Sequence, residues 1–371
     1  MRVAFLNWRD TANPEGGGSE VYVHEIARRL VARGHVVTQV CAEHPLGGRL
    51  ETVDGVRIVR RGSKLTVYQR ARRLLRSGAL GHLDVIVDTQ NGIPFLTPWA
   101  VDTPTVVLCH HVHREQWPVV YDPLRARVGW WVESRLAPWV YRRHRYVSCS
   151  RASAHELSEL GVALDRITVV HPGINPPTLD DLPDRDENPR IVVMGRLVPH
   201  KRLEHVFRAA ARLRHDVPGL TVAVIGDGWW GDRLRAAAQE AGVDDIVEFA
   251  GHVSEDEKAR QLARAWVMAL PSLKEGWGIV VVEAALAGVP TVAYRDAGGV
   301  TESIVDAETG LLVSDDEGAF TQALRTLLMA DPLREKLADQ ARLHATQFTW
   351  DAATDAFEQV LRETAGLAKN D

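Results

Sequence analysis

At 371 residues the chain exceeds what one ordinary core fills, so two domains are expected. With 45% hydrophobic and 25% charged residues and no apolar run of bilayer-spanning length, the composition is that of a soluble globular protein and excludes a membrane-spanning one. The formal charge of −5 is unevenly spread: residues 1–175 carry 23 Lys+Arg against 16 Asp+Glu, and the remainder 21 against 33. That asymmetry suits either an anionic partner for the first half or two solvated faces. The three cysteines, Cys41, Cys109 and Cys149, are scattered and odd in number, which argues against a disulfide framework or a zinc site and for reduced thiols in a cytoplasmic enzyme. The first residues turn polar too early for a signal peptide.

In chain order, residues 2–7 read as a strand leading into the turn-rich stretch Thr11 to Glu20. Ser19 reads as a helix N-cap, and Val23, Ile26, Ala27, Leu30 and Val31 recur at helical spacing over 20–33. Gly34 stops that helix and 35–41 is the next strand, a βαβ unit that implies a parallel sheet. Short strands follow near 57–59, 85–87, 105–109, 146–149 and 167–170. Residues 176–189, with four prolines and five acidic side chains, form the expected linker. The alternation then resumes, with strands at 190–194, 221–225, 246–249, 267–270, 291–294 and 311–313. Helices are expected at 203–213, 232–241 and 256–265, and a helical tail ends near 352–364. The expected organisation is an N-terminal domain over 1–175, the linker 176–189 and a second domain over 190–350. The last helix, 351–371, is expected to pack back on the first domain. Two such α/β halves facing each other imply a central cleft at the carboxyl ends of their strands.

Several strand ends carry candidate chemistry. Gly16-Gly-Gly-Ser-Glu20 opens the first helix, where Gly17 and Gly18 allow close approach to a phosphate or sugar, or make only a flexible turn. The spacing is not G-x-G-x-x-G, so no dinucleotide site is read. Cys109-His-His-Val-His113 presents His110 or His111 at a strand end; the H-x-H spacing lacks a nearby acid or cysteine to complete a metal set. Met194-Gly-Arg-Leu-Val-Pro-His-Lys201 places Arg196 and Lys201 as a diphosphate clamp or as two surface charges. Gly226-Asp-Gly228 and Phe249 to Val253 end two further strands; the first fits a tight connection equally well, and the second could read a base edge through its backbone. In Glu275-Gly-Trp-Gly-Ile-Val-Val-Val-Glu283, Glu275 sits in a loop at a helix N-terminus and Glu283 about two turns into the helix. The only D-x-D, Asp184-Arg-Asp186, lies in the linker and reads as solvated.

Together these residues resemble the retaining nucleotide-sugar glycosyltransferases of family 4, whose fold is GT-B. Glu275 to Glu283 match that family's E-x7-E element, Gly195 to Lys201 its GR…K element, and His171-Pro-Gly-Ile-Asn175 its interdomain turn, with proline where asparagine is commoner. Gly16 to Glu20, Gly226 to Gly228, Phe249 to Val253 and Trp350 fall in family order, so the resemblance covers essentially the whole chain. It implies two Rossmann-like, doubly wound parallel-sheet α/β domains and a metal-independent retaining hexosyltransferase, with no cofactor beyond the nucleotide-sugar co-substrate, UDP- or GDP-linked. By the resemblance Arg196 and Lys201 neutralise the departing diphosphate. Gly17 and Gly18 with the N–H groups of Gly278, Ile279 and Val280 cradle phosphates and sugar. Gly276, Trp277 and Val253 belong to the donor wall, Glu283 binds the ribose hydroxyls, Glu275 touches the transferred sugar and His110 contacts it near the anomeric carbon. Trp277 stands where phenylalanine is commoner. The acceptor is a sugar, a small molecule or a lipid-linked glycan. In the last case the basic first half suits an enzyme peripheral to the inner face of the cytoplasmic membrane. No nucleic acid is expected. Two other functions stay open on the same fold, a catalytically silent nucleotide-sugar binder and a sugar-nucleotide epimerase.

Overall fold

The computed structural model describes residues 1–176 and 181–367. Residues 177–180 of the expected linker and 368–371 of the expected last helix lie outside the described residues. The chain divides into two compact units, one formed by Met1–Gly173 with the chain from Thr349 onward, the other by Ile174–Phe348.

The first unit is built on strands β1 (Arg2–Leu6), β2 (Val36–Cys41), β3 (Leu50–Val53), β4 (Val56–Arg60), β5 (Val85–Gln90), β6 (Thr105–Cys109), β7 (Arg145–Ser148) and β8 (Ile167–Val169). Their spatial order is β3-β4-β2-β1-β5-β6-β7-β8, and every pairing is parallel except the β3–β4 hairpin. Residues 3–6 of β1 and all of β5 and β6 are buried, as expected of parallel strands covered on both faces. On one face the helix Gly18–Ala32 buries Tyr22, Val23, Ile26, Ala27 and Leu30. The helix Trp350–Thr364 lies beside it, with the Phe357 ring stacked 6.0 Å from Phe5 and the Trp350 ring 5.8 Å from Tyr22. An ion pair from Arg33 to Asp355 (2.7 Å) and a hydrogen bond between His35 and Glu358 (3.0 Å) rim the contact.

The first helix starts at Gly18 rather than after Ser19, with Gly17 as its N-cap. The Glu20 carboxylate accepts the Gly17 N–H at 2.8 Å and is itself paired with Arg9 at 3.1 Å, which ties down the turn before Ser19. The edge strand β3 and the helices Val67–Arg76, Pro123–Trp131 and Arg151–Glu159 are additions to the expected list.

The second unit contains β9 (Arg190–Met194), β10 (Thr221–Ile225), β11 (Val247–Gly251), β12 (Val267–Leu270), β13 (Thr291–Tyr294) and β14 (Gly310–Val313). All pairings are parallel, in the order β11-β10-β9-β12-β13-β14, the doubly wound arrangement. The direction of winding reverses between β9 and β12, so a crevice opens at their carboxyl ends. Residues 185 and 186, placed by the sequence in a solvated linker, are tied into this unit. Trp266 Nε1 donates to the Asp186 carbonyl at 2.7 Å, Arg264 Nε to its carboxylate at 2.8 Å, and Arg185 to the Gly288 carbonyl at 3.2 Å.

Candidate active site

At the β9/β12 reversal, the loop after β9 brings Lys201 to the loop after β12. Lys201 Nζ donates to Glu275 Oε1 at 2.5 Å, and Ser272 Oγ donates to the same oxygen at 2.6 Å. Glu275 is 9% exposed. Burial alone would push its carboxyl up, but the Lys201 charge, the two hydrogen bonds and His200 outweigh it and hold the group below the usual carboxylate range. Arg196 leaves the end of β9 five residues earlier, half-buried.

The backbone around Glu275 is fixed from both sides. Glu275 N–H donates to the Ala297 carbonyl at 2.7 Å, and the Gly299 N–H returns to the Glu275 carbonyl at 3.1 Å. Gly278 then adopts φ 90°, a left-handed cap that opens the helix Ile279–Leu286. The first N–H groups of that helix have no intrahelical acceptor, a donor cluster suited to an anion. The Trp277 side chain is 2% exposed and packs edge-on against Phe348 at 4.7 Å, so only its main chain is placed to meet a ligand. Glu283 is the fifth residue of the helix, just over one turn in rather than two. Its Oε1 accepts from Lys258 Nζ at 2.7 Å, and Lys258 also reaches Glu255 at 2.6 Å.

Three strand ends are stitched together beside this crevice. Gly195 N–H donates to Ile225 (3.0 Å), Leu197 N–H to Asp227 (2.9 Å) and Gly226 N–H to Gly251 (2.8 Å). The Gly226-Asp-Gly228 turn is therefore more than a short connection: its glycines let the β10 loop lie against the β9 loop. A pocket of ≈190 Å³ opens there, lined by Asp227, Trp229, Arg235, Phe249 and Gly251. Val253 follows two residues after β11, partly buried against the core.

In the first unit, Gly17 caps and Gly18 begins the first helix, and His110 directly follows β6. The His110 ring is 6% exposed and meets Tyr22 edge-on at 5.2 Å, and its Nε2 is buried with no hydrogen-bond partner among the described residues. His111 turns to Gln116 at 3.2 Å. His113 turns to Glu133, an acid twenty residues on, whose other oxygen accepts from Trp117 Nε1 at 2.7 Å. Both H-x-H rings thus have structural partners.

Two family models match in tandem: "Glycosyltransferase Family 4" over residues 16–178 and "Glycosyl transferases group 1" over 178–344. A GDP-mannose-dependent α-(1-6)-phosphatidylinositol monomannoside mannosyltransferase of Mycolicibacterium smegmatis is 31% identical over 372 residues, 92% of this chain and 93% of that one. The chain is a family 4 glycosyltransferase.

A D-inositol 3-phosphate glycosyltransferase of Acidothermus cellulolyticus is also 31% identical, across 94% of this glycosyltransferase and 86% of that protein. A glycogen synthase of Mycobacterium tuberculosis is 27% identical across 97% and 94%. Sucrose-phosphate synthase from Thermosynechococcus elongatus shares the fold, with a TM-score of 0.82 at 18% identity over 98% of each chain. The two doubly wound sheets are the GT-B architecture.

Sequence reasoning missed Ser272, Lys258 and Tyr22 in this glycosyltransferase. Ser272, three residues before Glu275, could have been found by spacing; Lys258 and Tyr22 reach their partners only through tertiary packing. His110 gives a pH prediction. Burial lowers its pKa from 6.5 to about 4, with Glu20 opposing and His113 and Arg9 assisting. The unfolded chain therefore takes up this proton first. The stability His110 contributes above pH 6.5 is lost as pH falls towards 4, about 3 kcal/mol in all. Urea midpoints across that range are expected to fall less steeply in His110→Gln; an identical slope would contradict the assignment.

Proposed function

We propose that this glycosyltransferase moves a hexose from a nucleotide-diphosphate sugar to an acceptor hydroxyl with retention at the anomeric carbon and without a metal. The observation that carries the reading is the buried Lys201–Glu275 pair at the switch point of the second sheet. Breaking the anomeric C–O bond places negative charge on the departing diphosphate and oxocarbenium character on the sugar. Lys201 and Arg196 meet the first, with the N–H groups of Gly278, Ile279 and Val280 and the Gly276–Trp277 main chain around the phosphates. Glu275 holds the sugar, and Glu283, oriented by Lys258, takes the ribose hydroxyls. The Val253 backbone and the pocket beside Phe249 suit the base. Gly17, Gly18 and a neutral His110 are assigned to phosphate and sugar contacts, the imidazole near the anomeric carbon.

For the acceptor we favour a lipid-linked glycan at the anionic inner face of the cytoplasmic membrane. One supporting relative acts, by its name, on a phosphatidylinositol monomannoside. The excess of arginine in the first 175 residues points the same way.

The test is a thermal-shift screen with UDP, GDP, ADP and TDP, followed by incubation with the matching nucleotide sugars. One nucleotide is expected to raise the transition, by about 2.7 kcal/mol of stabilisation at a hundredfold excess over Kd. Its sugar conjugate is expected to hydrolyse slowly; a shift without hydrolysis leaves the silent binder, and neither effect sinks the reading. Calorimetry of Glu283→Ala is expected to show nucleotide affinity reduced about tenfold or more, as for losing a charge-assisted hydrogen-bond acceptor. Unaltered affinity would remove Glu283 from the ribose.

A further inference from the structure

The helical segment Trp117 to Val140 of the first unit has an inner and an outer face of opposite character. Inward, Trp117, Ala126, Gly129, Glu133, Ala137 and Val140 are buried. A Cβ on Gly129 would stand 2.3 Å from the Trp117 ring, so that ring seats directly on the helix Pro123–Trp131. Outward, Leu124 (70% exposed), Val128, Trp131 (54%) and Trp139 (57%) follow one another four, three and eight residues apart, a single stripe along the helical run. Val119, Val120 and Tyr121 extend it at the N-terminal end. Large apolar side chains lying singly on a surface need no explanation, but seven within one short segment do.

The charges beside the stripe are of one sign. Arg125, Arg127, Arg135, Arg142 and Arg143 are all exposed, against Asp122 alone over the same stretch, because Glu133 is buried under His113 and Trp117. Arg127, Arg135 and Arg143 have no ion pair among the described residues, and Arg142 lies 5.3 Å over the Trp139 ring. A soluble protein partner of ordinary composition would not call for this pairing. Two exposed tryptophans among leucine and valine, rimmed by unpaired arginines, match an interface of acyl chains below and anionic headgroups above. No helix of the described residues is long and apolar enough to cross a membrane.

We propose that the outer face of residues 119–143 docks on an anionic bilayer, the aromatic and aliphatic stripe entering the headgroup boundary while the arginines pair with lipid phosphates. This rests on the reading that the acceptor is membrane-borne, and it names the surface that would bring the enzyme to it.

The full chain would be sedimented with phosphatidylcholine vesicles with and without phosphatidylglycerol, at low and high salt. Wild type is expected to bind the phosphatidylglycerol vesicles and to release as salt rises. The double variants Trp131→Ser/Trp139→Ser and Arg127→Glu/Arg143→Glu are each expected to lower the partition coefficient about tenfold or more. Their thermal transitions and donor hydrolysis are expected to stay unchanged, since all four side chains are exposed. Wild-type binding that neither variant weakens overturns the surface and leaves the membrane reading standing. Absence of wild-type binding overturns both. Concentration-dependent self-association abolished by the tryptophan pair, with vesicle binding intact, would reassign the face to a second copy of the chain.

Discussion

Lys201→Ala is expected to lower kcat by about 10²–10³-fold, the size of effect seen when one preorganised donor to a developing negative charge is removed. The same substitution should also destabilise the second unit. Glu275 is 9% exposed and shares its Oε1 between Lys201 and Ser272, so removing the ammonium leaves a buried carboxylate with one hydroxyl partner. Breaking a buried pair from one side typically costs about 3–5 kcal/mol. With Lys201 gone, only the Ser272 hydrogen bond and His200 are left to oppose the desolvation that pushes the Glu275 carboxyl up. Its folded pKa then rises, and the variant should lose less stability than wild type as pH falls. The two effects separate in Lys201→Ala/Glu275→Gln, where a neutral amide replaces the stranded charge. Stability is expected to recover while turnover stays low. Unchanged kcat in purified Lys201→Ala would end the assignment of Lys201 to the diphosphate. Recovery of turnover in the double variant would show that Lys201 serves only to neutralise Glu275.

The sequence carried the architecture because the two units use the most legible kind of strand. β1, β9 and β10 are short, mainly aliphatic and buried runs, each followed by a glycine-containing loop and an amphipathic helix, and that alternation fixes a parallel sheet. The β3–β4 hairpin also carries a sequence signal, Asp54-Gly55, whose φ values of 49° and 77° are those of a two-residue turn with both central residues left-handed. The helix Val67–Arg76 was obscured by its arginines, which mask its three buried positions, Val67, Ala71 and Leu75. At the candidate site, residue types and spacing single out Lys201, Glu275 and Glu283 as candidates. What held them was not legible. Lys258 lies 25 residues from Glu283, and no periodicity relates the two. His113 is likewise paired with an acid twenty positions away, which is why the H-x-H spacing read as an incomplete metal set. A motif names candidate groups; the partners that orient them are chosen by packing and leave little local trace.

Gly226→Ala is expected to be a strongly damaging single-methyl change near the site. Gly226 sits at φ +127°, a conformation that side chains rarely adopt, and an added Cβ would lie 2.0 Å from the Gly195 carbonyl oxygen. Neither partner can yield cheaply. Gly195 N–H is bonded to Ile225 and Gly226 N–H to Gly251, so relief of the clash must pull the β9 and β10 ends apart. Backbone strain of this kind, with loss of those bonds, amounts to about 3–5 kcal/mol. Gly231→Ala is the matched control, because its Cβ would meet only Leu197 Cδ1, at 3.7 Å, and the site opens the helix Gly231–Glu240 without a left-handed φ. Alanine there is expected to leave stability within about 0.5 kcal/mol of wild type or to raise it. Because Arg196 directly follows Gly195, the Gly226→Ala shift should also raise the donor KM at temperatures where the protein stays folded. A Gly226→Ala protein with wild-type urea midpoint and wild-type donor KM would mean that the β9 and β10 loops are not braced against each other and that the position of Arg196 is set from elsewhere.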